Sequence, residues 1–144
     1  MLSYLAATFI AAFFWAKLEI EIEGKHGWAA NLPTWKIDDH PFLHILYGGR
    51  PLTGYHVWAF TSVGFFFHLP LVVGLRWSLA GELRTLGACC LFWVVEDFLW
   101  FVLNPHFGWH KFRRDEVWWH KRWLLRLPLD YWVLGMAGIA LMVH

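Results

Sequence analysis

Two adjacent acids, Glu96 and Asp97, stand inside the apolar run Leu86–Leu103 (LGACCLFWVVEDFLWFVL), 18 residues long. A helix of that length crosses most of a bilayer's hydrocarbon. A charged side chain near the middle of such a helix costs about 2.5–3.5 kcal/mol on insertion scales, so it needs a partner or a function. Other residues of matching chemistry lie elsewhere in the chain. Glu19 and Glu23 are four apart and share a helix face, while Glu21 points away. His106 and His110 repeat the same spacing, and His120 follows in the same loop. Carboxylate and imidazole projected into a helix bundle are the ligand set for iron, manganese or zinc. Glu19, Glu23, Glu96, His106, His110 and His120 are the candidate ligands. The same groups suit acid–base catalysis without a metal, and Glu96 and Asp97 are then the candidate catalytic pair.

The elements that must position these groups follow from composition. Of 144 residues 58% are hydrophobic and 16% charged, with a mean hydropathy of +0.41. Soluble domains are nearer 45–50% apolar and about 25% charged. The sequence therefore predicts an all-α integral membrane protein of one domain, a four-helix transmembrane bundle with interfacial amphipathic loop segments. The predicted spans are residues 2–22, 57–75, 86–103 and 127–143, the second carrying Pro70. The first is read as a retained span, since no basic stretch precedes it. Ten of the twelve Lys and Arg fall in or beside the two long loops, and only Arg76 and Arg84 lie in the opposite turn. The positive-inside rule then places both loops in the cytoplasm and both termini outside, in a membrane of the bacterial inner type. Trp15, Trp77, Trp109, Trp118, Trp119, Trp123 and Trp132 fall near span ends, as in aromatic belts.

That orientation gathers the polar residues. Glu19, Glu21 and Glu23 arrive at the cytoplasmic end of the first span, His56 opens the second, and Asp130 opens the fourth. Glu96 and Asp97 lie about 10–12 Å above Asn104 along the third. At about 100° apart, only one of the two is expected to face the centre. Plainer roles compete with each assignment. Glu96 and Asp97 could form an ion pair with a loop cation, and Asp130 could serve the helix dipole. His68 is read as a hydrogen-bonded packing residue, and Cys89 and Cys90 as small buried residues. His40 and His44 repeat the HxxxH spacing across Pro41. Trp109–Leu127, mixed basic and aromatic, reads as an interfacial helix. Gly24–Trp35 (GKHGWAANLPTW) is composed as a structured loop that could fold back over the site.

The stretch VEDFLWF resembles the Pro-x-Glu-Glu/Asp motif of small membrane lycopene cyclases, with Val94 at the proline position. The resemblance covers a few residues and implies protonation of an isoprenoid double bond by Glu96 or Asp97. The HxxxH pairs are similar to the histidine boxes of membrane fatty-acid hydroxylases and desaturases, though the HxxHH boxes of that group are missing here. The expectation is a small membrane enzyme acting on a lipid or isoprenoid, with no nucleic-acid partner. Its site would hold a metal, or work as a metal-free isomerase or cyclase. The alternative is an accessory subunit of a larger membrane complex; a homo-oligomer is also open.

Overall fold

The computed structural model describes residues 2–38, 40–42, 47–74 and 76–143. His44, and with it the His40/His44 pair, lies outside the described residues. Four helices form the body: α1 (Leu2–Glu23), α2 (Gly54–Val72), α3 (Leu79–Leu103) and α4 (Leu129–Met142). Two short antiparallel ribbons join them. β1 (Lys36–Ile37) pairs with β2 (Leu52–Thr53), Lys36 opposite Thr53. β3 (Trp123–Leu124) pairs with β4 (Leu127–Pro128), Trp123 opposite Pro128. The fold is thus all-helical in substance. By length and composition α3 is, among the described residues, the one helix clearly able to cross a membrane, and α4 is apolar but shorter.

Local chemistry sets the helix ends. Thr53 caps α2, its Oγ1 accepting from His56 N at 3.2 Å. Ser78 caps α3, its Oγ accepting from Gly81 N at 3.1 Å, so this helix starts seven residues before the predicted span. At its other end Asn104-Pro105 stops it, because the residue before a proline is pushed out of the helical region.

α3 is the central element and packs along α1 and α4, with α2 touching it more lightly. Small residues permit this. Thr8, Ala12 and Ala16 repeat every fourth position on the buried side of α1. Gly87 of α3 and Gly138 of α4 bring their backbones so close that a Cβ on Gly138 would lie 2.9 Å from Gly87 O. The outer sides of the helices carry Phe9, Phe14, Trp58, Phe66, Met136 and Ile139, all exposed.

The segment after α3 departs from the interfacial helix predicted for it. Apart from one 3-10 turn, Trp109–Lys111, and the β3–β4 ribbon, Trp109–Leu127 is irregular. Some of its large apolar side chains turn inward, whereas Trp109, Trp118, Leu124 and Leu125 stay exposed. Phe112, Val117 and Trp119 are buried with Trp100 and Phe101, and Trp119 stacks on Phe101 at 5.5 Å. The ribbon turns on Leu125 and Arg126, both at positive φ (49° and 69°), the geometry of a tight two-residue hairpin.

Asn104 ties this segment to the first loop. It is 1% exposed; its Nδ2 donates to Gly24 O at 2.8 Å and its Oδ1 accepts from His106 N at 3.0 Å. Asn104→Ala leaves both backbone groups without this partner. Thermal unfolding of the purified variant is expected to show a loss of about 1–3 kcal/mol.

Candidate functional site

The end of the bundle where α1 and α3 finish and α2 and α4 begin encloses a cavity of about 520 Å³. Every helix contributes to its wall: Glu19 and Glu23 from α1, His56 and Phe60 from α2, Glu96, Asp97 and Trp100 from α3, and Asp130 and Tyr131 from α4. Loops add Trp28, Arg50, Trp119 and His120. Of the residues expected to gather at this end, Glu19, Glu23, His56, Glu96, Asp97, His120 and Asp130 line the cavity.

Both acids of the central pair line the cavity, rather than one. The reason is that the cavity extends to both flanks of α3. On the α1 flank Glu96, 2% exposed, lies beside Glu19. Glu19 in turn accepts a hydrogen bond from Tyr55 Oη at 2.9 Å. On the α4 flank, Asp97 Oδ2 accepts from the Tyr131 hydroxyl and lies 3.0 Å from His120 Nε2. His120 Nδ1 is 3.6 Å from Asp130 Oδ2, and Asp130 is ion-paired with Arg50. Polar groups thus succeed one another from Asp97 through His120 and Asp130 to Arg50, although His120 Nδ1 has no hydrogen-bond partner among the described residues.

A second polar group surrounds Glu23. Its Oε1 accepts from Ala29 N and lies 3.7 Å from His56 Nε2. His56 Nδ1 contacts Thr53 Oγ1 at 2.7 Å, which fixes the ring. Trp28 stacks on that ring at 3.9 Å and donates its indole N–H to Pro51 O at 2.8 Å. The Arg50 guanidinium lies over the other ring system, 4.8 Å from the Trp28 centroid. Trp28 and Ala29 both hold positive φ, 46° and 48°, in a region that costs L-residues about 1–2 kcal/mol each. The contacts of Glu23 and Pro51 hold them there. The Gly24–Trp35 loop therefore does fold back far enough to put Trp28 in the cavity wall.

Glu23 is one residue beyond the predicted first span. Burial first, and then the neighbouring Glu19 carboxylate, push its pKa from 4.5 up to about 8. A carboxyl that holds its proton more tightly in the folded state favours folding at low pH. That contribution is lost as pH rises from about 5 through 8. The melting temperature is expected to fall across this interval, and Glu23→Gln to flatten the fall.

The predicted site residues divide clearly. Glu19, Glu23, Glu96, Asp97 and His120 meet at the cavity, whereas His106 and His110 are exposed and lie off its wall. Gly108, with φ of 68°, breaks the helix that their spacing would have needed. Among the described residues no three of His, Cys, Asp and Glu are grouped so as to hold a metal ion. Cys89 and Cys90 are half-buried and unbridged. At the far end of the bundle His68 contacts Gly64 O at 2.7 Å and Glu82 Oε1 at 3.0 Å, a packing role.

Arg50, Trp28, Tyr55 and Tyr131 were not among the site residues read from the sequence. Arg50 carried only a topological signal there, as one loop cation among several. Tyr131 adjoins Asp130 in the first turn of an otherwise apolar helix, and that juxtaposition was the available clue. No family model, no curated protein and no solved structure matches the chain, so the arrangement of these side chains is what bears on its function.

Proposed function

We propose that this chain is a four-span membrane enzyme that performs acid–base chemistry on a lipid or isoprenoid substrate in the loop-end cavity, with Glu96 as proton donor. The observation that carries the reading is one cavity wall combining buried acids with aromatic rings. Glu96 lies among Phe60, Trp93 and Trp100, and the Phe60 and Trp93 rings meet at 4.6 Å. A volume of about 520 Å³ suits a small lipid. The exposed aromatic and aliphatic sides of α1, α2 and α4 suit a hydrocarbon surround, from which such a substrate would enter.

The chemistry balances without an outside reactant. Glu96 gives its proton to one carbon of a double bond, and a cation forms on the adjacent carbon. The faces of the indole and phenyl rings stabilise that cation. A neighbouring carbon then loses a proton to a carboxylate of the cavity, which yields a shifted double bond or, after ring closure, a cyclic product. Asp97, held by Tyr131 and His120, is the acceptor in this scheme, and exchange with water restores the proton of Glu96 between turnovers.

The test is turnover in D2O with an extract of membrane lipids, read by mass spectrometry. Wild-type protein is expected to add one deuterium to an unsaturated lipid species, and Glu96→Gln to add none. Lipids unchanged by the wild type would sink the reading.

A metal-dependent version uses the same residues and makes a different forecast. His120 Nε2 is engaged by Asp97 and His56 Nδ1 by Thr53. Elemental analysis of purified protein is accordingly expected to find no metal that depends on Glu96. One ion per chain in the wild type, lost in Glu96→Ala, would replace the acid–base scheme with a metal-centred one.

A further inference from the structure

The carboxylates around the cavity are mostly engaged: Glu19 with Tyr55, Glu23 with Ala29, Asp97 with Tyr131, Asp130 with Arg50. Two polar atoms on the α3 wall are not. Glu96 Oε1 and Trp100 Nε1 are buried and have no hydrogen-bond partner among the described residues. Their residues are only 2% and 3% exposed, and both line the cavity. Four positions apart on one helix, they sit one above the other on a single face. Buried polar atoms left in this state are rare and call for a partner.

The donor and acceptor properties of the two atoms restrict that partner. An indole N–H only donates, whereas a carboxyl oxygen accepts from a neighbour or, when protonated, donates to it. A hydroxyl oxygen meets both demands at once, accepting from Trp100 and donating to Glu96. A charged amine cannot accept from the indole. An ether cannot donate to the oxygen of Glu96 that does not carry the proton. A fully ionised phosphate accepts but cannot donate, so it does not meet both demands, although Arg50, Lys121 and Arg122 line the cavity beside its five acidic side chains. Phe60 and Trp93 give the same wall an apolar part, and Glu19 lies beside Glu96.

We infer that the cavity binds an uncharged lipid alcohol whose hydroxyl bridges Glu96 Oε1 and Trp100 Nε1, its hydrocarbon chain lying against the aromatic wall. This assignment deepens the acid–base reading and rests on it for the lipid nature of the substrate. A hydroxyl anchored on one oxygen of Glu96 leaves the other for a double bond one or two carbons away. The reacting bond is then allylic or homoallylic to the hydroxyl.

The experiment is equilibrium binding of radiolabelled geranylgeraniol to the purified full chain in lipid nanodiscs. Its methyl ether, the corresponding hydrocarbon and geranylgeranylamine serve as competitors. The alcohol is expected to bind saturably and to outcompete the ether and the hydrocarbon by at least about tenfold, since each lost hydrogen bond leaves a buried group unpaired. Trp100→Phe, which keeps an aromatic ring but removes the donor, is expected to weaken alcohol binding about tenfold and so to narrow the preference for alcohol over hydrocarbon. Equal competition by all four compounds, tighter binding of the amine, or no saturable binding of the alcohol overturns the assignment. The ligand series in the wild type decides this even if the variant fails to fold. Binding is read without turnover, so the two readings fail separately. A preserved alcohol preference without deuterium uptake overturns the acid–base scheme alone. Deuterium uptake without an alcohol preference overturns the alcohol assignment alone.

Discussion

Glu96→Gln is expected to reduce turnover by about 10²–10⁴-fold, the usual contribution of a positioned general acid, while the helices stay assembled. The substitution keeps the size of the side chain and its capacity to hydrogen-bond, and removes only the exchangeable carboxyl proton. Among the described residues Glu96 Oε1 makes no hydrogen bond that the amide would break, and the amide is as uncharged as the protonated carboxyl it replaces. Stability is therefore expected to hold or rise, which separates catalytic loss from unfolding. The measurement pairs deuterium uptake with thermal unfolding of the same preparation. A variant that loses its fold together with its activity would show that Glu96 is structural. Full activity in the folded variant would remove it from the mechanism.

The second large effect is expected at the crossing of α3 and α4. A side chain on Gly138 would place its Cβ 2.8 Å from Leu91 Cγ and 2.9 Å from Gly87 O, and a backbone oxygen cannot rotate away. Gly138→Val must push the helices apart, at a cost of about 1–3 kcal/mol for overpacking. Tyr131 lies seven residues earlier, two turns along the same side of α4. Separating the helices therefore also draws its hydroxyl from Asp97, so melting temperature and turnover are expected to fall together. Gly135→Ala is the control. Nothing lies within 4 Å of a Cβ there, so replacing a mid-helix glycine is expected to be neutral or stabilising by about 0.5–1 kcal/mol. If Gly138→Val melts like the wild type, the close approach of the two helices has no energetic consequence.

The succession of polar groups from Asp97 to Arg50 ties together elements that the covalent chain keeps far apart. Arg50 precedes α2, His120 follows α3, and Asp130 opens α4. Arg50 and His120 each combine a polar contact with one to an aromatic ring, and Asp130 lies between the two. Such over-determined positions suit a site in which charge must be held in place while a proton moves.

Periodicity and composition determined the helical class, the approximate helix positions and the end of the bundle at which the acids gather. These are local properties: apolar runs define helices, and alternating chain direction sorts their ends. Glu96, Asp97, Glu19, Glu23 and His120 were recognisable because ionisable groups in or beside apolar helices are costly enough to stand out. Which of them pair, and with what, was decided by tertiary packing. The i,i+4 spacing of His106 and His110 suggested ligands, but Gly108 and the inward turn of Phe107 and Phe112 left both imidazoles outside the cavity. Arg50 became part of the site only because Trp28 and Asp130, 22 residues before it and 80 after it, converge on its guanidinium. Glu96 and Asp97 both reached the cavity because its wall takes side chains from α1 as well as from α4. Contacts between distant segments depend on how side-chain volumes fit once the helices meet, and spacing along one chain does not encode that fit.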